Sequence, residues 1–171
     1  MTTTIPEGVK SNGHVPVYFF PAGTITDLDG ATAAMVTATG VVQLDCYLNE
    51  GNPAINKTTS TTEVRRMCLK QAATKPGSET YNVELTGVYD GQNATPAQNE
   101  FYNTLKQGVK GVLGIAWGHD SELPLASGVV IDLIQGEVGS VTKNTPVWDE
   151  DLTITVQWLG EVWEEDVAIA A

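Results

Sequence analysis

The segment "DLTITVQWLG", from Asp151 to Gly160, limits what this chain can fold into more than any other stretch. Its apolar residues occupy every second position, and a period of two predicts a strand with one buried face. Trp158 lies on that apolar face, so the strand is expected to run through a core. Gly160 is expected to end the strand, and an acidic segment follows it.

Similar β-prone segments recur along the chain and are separated by turn residues. They are "VPVYFF" (15–20), "GVVQLDCYL" (40–48), "TYNVELTGVYDG" (80–91), "VLGIAWG" (112–118) and "GVVIDLIQGEV" (128–138). One amphipathic helix is expected at about residues 96–108, because Pro96 suits a first helical position and Phe101 and Leu105 are spaced four apart. The pattern predicts a mainly β protein, either a β-sandwich or a rolled β-sheet, with one packed helix.

The division of the chain follows from the stretches without apolar periodicity. Residues 1–15 are predicted to form an N-terminal arm, 16–162 a single β domain and 163–171 a C-terminal tail. Within the domain, residues 49–62 ("NEGNPAINKTTSTT") are predicted to be a long loop. The following segment, 63–73, fits either a strand or a helix, and the β-prone residues before it and the turn residues after it favour a strand. These expectations describe one domain with extended arms and a long loop.

The sequence contains no recognisable catalytic motif. His119-Asp120-Ser121 are adjacent in the chain, whereas a hydrolytic triad is assembled from separate elements. "DLDG" at 27–30 lacks the later ligands of a calcium loop. We therefore predict no enzyme activity and neither metal nor cofactor. Cys46 and Cys68 are expected to be buried free thiols, although a disulfide remains open.

The net charge of −12 excludes DNA binding by phosphate neutralisation, which needs clustered Lys and Arg. No segment has the length of a membrane span, and the N-terminus has no signal-peptide pattern, so a cytoplasmic product is expected. Arg65 and Arg66, with Lys70, form a small basic cluster that is expected to pair with carboxylates of its own fold or of a neighbouring subunit.

Two tryptophans stand beside carboxylates, in "VWDED" and "VWEED", and such positions are typical of interface anchors. Carbohydrate binding by exposed tryptophans is the alternative. The predicted interface residues are taken from the long loop, the basic cluster and the acidic C-terminal part: Asn52, Pro53, Ile55, Arg65, Arg66, Trp148, Trp163, Glu164 and Glu165.

The stretch "NTPVWDEDLTITVQWLGEV" (144–162) resembles the end of major tail-tube proteins of long-tailed bacteriophages. It combines a turn with proline, an acidic run, an alternating strand and a glycine. The resemblance extends to the order of elements from about residue 15 to 162. It implies a structural virion protein, made in the host cytoplasm, whose strands join those of neighbouring copies into a closed ring, commonly hexameric. Another virion component, such as a capsid decoration protein or a tail terminator, is the alternative.

The resemblance further implies that rings stack into a hollow tail tube, with tape-measure and other tail proteins as partners and viral DNA passing without specific binding. An acidic lumen would repel the DNA phosphates. Candidates for lumen residues are carboxylates on predicted strands: Asp45, Glu84 and Asp132. Asp132 is expected to face water, a partner or the lumen, because its strand is otherwise apolar.

Overall fold

The structure is a computed structural model that describes residues 8–68, 71, 73–92 and 99–171. In this part of the chain, seven antiparallel strands form one sheet in the order β2-β1-β5-β6-β7-β4-β3. The strands are β1 (Val17–Pro21), β2 (Val42–Gln43), β3 (Ala54–Val64), β4 (Ala73–Val88), β5 (Lys110–Ile115), β6 (Val130–Lys143) and β7 (Thr153–Ala168). Two short helices, α1 (Ala33–Val36) and α2 (Glu100–Thr104), pack on the sheet.

A short segment after β2 closes the sheet into a roll. The Leu44 N–H donates to the Val17 carbonyl at 2.7 Å, on the β1 side. A few residues later, the Asn49 N–H donates to the Thr86 carbonyl of β4 at 2.9 Å. Residues 44–49 therefore connect β1 to β4 across the gap between them. The mainly β prediction is confirmed, and of its two forms the rolled sheet is the one observed.

The inside of the roll is filled by the apolar face of each long strand. Trp158, fully buried, is the largest side chain there, and its ring meets Phe19 edge-on with 6.1 Å between centroids. Phe101, in the first turn of α2, and Leu105, just beyond the helix, are also fully buried in this cluster. The alternation of β7 and the helical spacing of Phe101 and Leu105 thus predicted core positions correctly.

A second apolar cluster lies on the outer face of β1, β5 and β6 beneath α1. It includes Phe20 and Leu133 from the sheet and Val36 from α1. Val167 and Ile169 also belong to it, and the Ala170 N–H donates to the Ala31 carbonyl at 2.9 Å. The predicted C-terminal tail of 163–171 is therefore wrong, because these residues extend β7 and bury apolar side chains.

Gly160 does not end β7, because the strand continues to Ala168. Its missing side chain serves close packing instead: a Cβ at this position would lie 2.8 Å from the Tyr81 Cβ and 2.9 Å from Ile134. The predicted helix is also too long at its C-terminal end, since α2 stops at Thr104, while its first residues, 96–98, lie outside the described residues. Beyond it, the Gly108 N–H donates to the Val138 carbonyl at 2.8 Å, so the backbone has already turned to β6.

The predicted loop of 49–62 is wrong from residue 54 onward, where β3 begins. The run of threonines has high β-propensity, yet it shows no apolar alternation because neither face of this part of the strand is buried. The strand predicted for 63–73 is likewise wrong at residues 65–68 and 71, whereas residues 69, 70 and 72 lie outside the described residues. Residues 65–68 and 71 form the described part of the connection between β3 and β4.

Candidate assembly surfaces

The β3–β4 ribbon, residues 56–64 and 73–80, projects beyond the body of the protein. β4 pairs with β7 only from Tyr81 onward, so residues 73–80 have β3 as their one strand neighbour among the described residues. Nearly all ribbon side chains are exposed. At about 3.3 Å per residue the ribbon extends about 25 Å. A two-stranded ribbon without a core is marginally stable in water, so it is suited to packing against another molecule.

The base of the ribbon is fixed to β7 by the ammonium group of Lys57, which lies near two aromatic rings that contact each other. The Tyr81 and Trp163 rings meet edge-on with centroids 5.4 Å apart, and Lys57 Nζ lies 5.6 Å and 5.2 Å from them. Lys57 Nζ also contacts Glu165 Oε1 at 2.9 Å, and this hydrogen bond raises the pKa of the lysine. Trp163 and Glu165, predicted to face a neighbour, are therefore already engaged inside the subunit.

Glu79 strengthens the same cluster. The Tyr81 hydroxyl donates to Glu79 Oε2 at 2.5 Å, and this bond, followed by the charge of Lys57, lowers the pKa of Glu79. The same bond raises the pKa of Tyr81. A lowered carboxyl pKa keeps the interaction present until the pH falls below the ordinary glutamate range, and a raised tyrosine pKa keeps it until strongly basic pH. The ribbon base is thus held throughout the neutral range.

The tip of the ribbon, residues 65–68, concentrates positive charge in an acidic protein. It carries both arginines of the chain, and both are exposed. Arg65 pairs with Glu63 at 3.0 Å, whereas Arg66 makes no ion pair with any described residue. Met67 projects fully into solvent at 108% relative exposure. The prediction that this cluster pairs within its own fold is correct for Arg65; Lys70 lies outside the described residues.

The predicted interface residues at the start of β3 are built into the subunit. Asn52 accepts the Thr86 N–H at 2.8 Å through Oδ1 and donates to the Asn49 carbonyl at 3.0 Å. The Asn52–Pro53 peptide bond is cis. Ile55 is half-buried against the inner cluster. These residues anchor the start of β3 within the subunit, whereas the ribbon beyond them is exposed.

The 147–152 loop, which precedes β7, is exposed at every residue. Trp148 has 96% relative exposure, with Val147 and Leu152 also exposed beside it. Asp149 has a positive φ of 68°, and a shallow pocket is formed by Asp149 to Asp151 together with Asn49 and Glu50. This loop combines an unpacked aromatic ring with several carboxylates, and the interface role of Trp148 stays a prediction.

Asp132, predicted to face water, a partner or the lumen, is instead 8% exposed, and both of its carboxylate oxygens accept hydrogen bonds within the subunit. Trp117 Nε1 donates to Oδ2 at 2.8 Å, and the Asp166 N–H donates to Oδ1 at 2.8 Å. The Asp166 contact is possible because β7 is irregular opposite Asp132, where the register shifts and Asp166 has a φ of 55°. Neither hydrogen-bond donor could be predicted from the sequence. The Asp132 carboxylate stabilises the irregular pairing of β6 with β7.

The other two predicted lumen carboxylates differ from each other. Asp45 is not on a strand, because it begins a 3₁₀ turn, and it is half-buried. The burial of Tyr18, together with the negative charge of Asp45, raises the pKa of Tyr18 to about 12. Glu84 is exposed on the outer face of β4, directly opposite Gln157 of β7. Next to it, the hydroxyls of Thr86 and Thr155 bond at 2.9 Å. The polar side chains on this face of β4 and β7 are exposed or half-exposed in the part of the chain that the structure describes.

The two cysteines are exposed, so the prediction that they are buried is wrong. They are free thiols and lie far apart in the fold. Cys46 lines a depression with Asp151 and Leu152, whereas Cys68 follows the arginines at the ribbon tip. Among residues 8–68, 71, 73–92 and 99–171, no group of three His, Cys, Asp or Glu side chains could hold a metal ion. No described helix is long and apolar enough to cross a membrane.

Lys57, Tyr81 and Trp117 have structural roles that the sequence did not predict. Lys57 was assigned to the predicted loop of 49–62 and Tyr81 to the β-prone segment 80–91, and only the β3–β4 register shows that they lie opposite each other. Glu164 is half-buried on β7, so it is a poorer interface candidate than the exposed residues of the ribbon tip.

Comparison with known proteins identifies relatives of this architecture. No curated protein sequence matches the chain. Among solved structures, the SPP1 tail tube determined by solid-state NMR and cryo-EM has a TM-score of 0.54 at 11% identity, covering 95% of this chain and 81% of that one. An extracellular contractile injection system structure, described as the PVC sheath/tube terminator in the extended state, has a TM-score of 0.58 at 10% identity, covering 94% and 98%.

A third similar chain occurs in the 6-fold symmetrised cryo-EM structure of the anti-feeding prophage baseplate. Its TM-score is 0.52 at 9% identity, and 96% of each chain is covered. At these identities the three structures support a common fold. The sequence itself matches the family described as phage tail tube protein over residues 2–171. This chain therefore belongs to the phage tail tube protein family, and it is a structural protein of the virion tail, not an enzyme.

Proposed function

We propose that this protein assembles into hexameric rings that stack into the tail tube through which viral DNA is ejected. The observation that carries the proposal is the β3–β4 ribbon. It extends from a roll that already has its own core, and it buries almost nothing within the subunit. A segment of this kind gains stability by packing on a neighbouring copy.

Ring formation is supported by the open edge of β3. This eleven-residue strand has β4 on one side and no strand on the other among the described residues. Exposed edges pair readily with another chain, and a closed ring removes them. On the opposite edge of the ribbon, Pro76 lacks an N–H, so pairing of a further strand there is disfavoured. Pairing is therefore directed to one side of the ribbon.

The lumen is proposed to be lined by the polar outer face of β4 and β7, with Glu84 as its carboxylate. Among the described residues, that face carries polar side chains that are exposed or half-exposed. Repeated around a ring, Glu84 would form a band of negative charge that repels DNA phosphates. Asp132 is removed from this role because its oxygens are occupied, and Asp45 because it lies in a half-buried turn.

Negative-stain microscopy of the purified protein at increasing concentration tests the assembly. We expect rings and then tubes of uniform diameter. Protein that remains monomeric at high concentration, under conditions where it is folded by circular dichroism, would exclude the proposal. Assembly is expected to occur in the host cytoplasm, with the tape-measure protein and other tail proteins as partners.

The lumen assignment has a separate test. Tubes of the Glu84→Lys variant are expected to retain added double-stranded DNA more strongly than wild-type tubes, because the repelling charge is reversed. Glu122→Lys, at an exposed loop residue, makes the same charge change away from this face. Equal retention by the two variants would place the lumen elsewhere.

A tail terminator is a second candidate, and the similarity to a chain described as a sheath/tube terminator favours it. A terminator forms a ring that caps a tube and does not stack on itself. Rings without tubes at every concentration would favour this function.

A further inference from the structure

We infer that the ribbon tip of one copy docks on the 147–152 loop of the next copy, with arginine on carboxylate and Met67 beside Trp148. This inference rests on the proposed function, since it assigns the contact that joins one ring to the next. The occupant of the loop is thus a second copy of this chain. Four observations carry it: the position of the two surfaces, their charges, their exposed apolar side chains and the placement of the cysteines.

The two surfaces lie at opposite ends of a single strand. β4 begins at Ala73, next to the tip, and ends at Val88, which pairs with Thr153 immediately after the 147–152 loop. β4 is sixteen residues long, so its two ends lie about 50 Å apart along the extended chain. Copies translated along the direction of β4 would therefore bring the tip of one towards the loop of the next. Such a head-to-tail contact does not close on itself and continues as a stack.

The charges of the two surfaces are complementary. At the tip, Arg65, Arg66 and nearby Lys75 outnumber the single carboxylate of Glu63. At the loop, the pocket formed with Asn49 and Glu50 presents only carboxylates as charged groups. None of the ion pairs among the described residues uses those carboxylates. Opposite charges across an interface fix its register and disfavour wrong partners.

The apolar groups match as well. Met67 and Trp148 are the two most exposed large hydrophobic residues of the described chain, at 108% and 96%. One lies on the tip and the other on the loop. Methionine sulfur packs favourably against aromatic rings, and arginine stacks on tryptophan. Aromatic and arginine side chains are also the residue types that dominate binding energy in interfaces.

The contact can be tested by cross-linking the natural cysteines, because one thiol lies on each of the two surfaces. Cys68 follows Met67 at the tip, and Cys46 shares a depression with Asp151 and Leu152 of the loop. In assembled tubes, a short bifunctional maleimide is expected to link Cys68 of one copy to Cys46 of the next. Each subunit then has two linked neighbours, and a denaturing gel should show a ladder of dimers, trimers and larger species.

Single-cysteine variants distinguish this pairing from symmetric ones. Cys46→Ser and Cys68→Ser should each abolish every cross-linked species, because each removes one half of the pair. Dimers that persist in either variant would indicate that like cysteines meet, and that result would overturn the inference. The same holds for wild-type tubes that give no cross-links.

Charge reversal provides an independent test. Arg65→Glu/Arg66→Glu is expected to raise the protein concentration needed for tubes roughly tenfold, and Glu150→Lys/Asp151→Lys to do the same, because each places like charges across the contact. Combining all four substitutions should restore tube formation to within roughly threefold of wild type. Asp149 is left unchanged because its positive φ would strain a replacement.

The outcomes separate this inference from the proposed function. Wild-type protein that forms no rings or tubes refutes the proposed function. Wild-type tubes that form equally well with Arg65→Glu/Arg66→Glu, or a four-fold variant that is not rescued, refute only the docking of the tip on the 147–152 loop.

Discussion

The carboxylate of Asp132 allows a quantitative test of the structure, because both of its oxygens accept a hydrogen bond inside the fold. Asp132→Asn keeps the shape of the side chain but has only one acceptor oxygen. Its NH₂ group must therefore face either the Trp117 Nε1–H or the Asp166 N–H, which places two hydrogen-bond donors against each other. We expect the free energy of unfolding to fall by about 1.5–3 kcal/mol, the usual value of a hydrogen bond to a charged group. For a chain of this length that corresponds to a decrease in Tm of about 3–12 °C.

Urea unfolding followed by circular dichroism measures the change, at protein concentrations where the midpoint is independent of concentration so that assembly does not contribute. Trp117→Phe removes one donor, and it should cost less than Asp132→Asn because Trp117 is 52% exposed. The double variant should cost less than the sum of the two, since both remove the same bond. Asp45→Asn is the matched control: Asp45 Oδ1 is buried without a partner among the described residues, so we expect a change within about 0.5 kcal/mol. An Asp132→Asn variant as stable as Asp45→Asn, or strictly additive costs with Trp117→Phe, would refute the assigned bonds.

Three further predictions concern packing, exposure and titration. Gly136→Ala should destabilise the fold by about 1–3 kcal/mol or more, because the added Cβ would lie 2.0 Å from the Leu159 carbonyl oxygen. Gly8→Ala is the control: a Cβ at Gly8 would have no atom within 4 Å, so the Tm should not change. Trp158→Ala should cost about 3–5 kcal/mol in urea unfolding, while Trp148→Ala should leave the stability unaltered and weaken tube formation; equal stability losses would contradict the assigned burial. Tyr18, whose pKa is raised to about 12 by burial and by the charge of Asp45, should stabilise the fold up to about pH 10 and lose that contribution as the pH rises towards 12. The Tm of Tyr18→Phe should therefore fall less than that of wild type over this interval.

Sequence patterns predicted those parts of the fold that have one buried face. The alternation through Trp158 and the spacing of Phe101 and Leu105 both reflect burial in the inner cluster, and both were correct. The patterns failed where burial does not alternate. The ribbon has no buried face, so β3 had no apolar period to detect and was predicted to be a loop.

The candidate site was predictable only where a residue type is unusual for its exposure. Trp148 beside three acidic residues and the arginine pair were noticed for that reason, and both are exposed in the structure. Contacts that depend on register could not be inferred. Trp163 looked like an exposed anchor until the pairing of β4 with β7 placed Tyr81 beside it, and Asp132 looked solvent-facing until the β7 bulge supplied a donor.

The unbroken course of β4 has a mechanical consequence. Its first half forms the ribbon and its second half is a wall of the roll, paired with β7 over eight residue pairs from Tyr81 to Val88. Ladder hydrogen bonds run perpendicular to the strands, so tension applied at the tip along β4 loads them in shear. They then resist together, whereas peeling would break them one after another. If the ribbon tip docks on the next copy as proposed, a tail under tension would be held by the combined strength of this ladder, because the force between copies would pass through the fold itself.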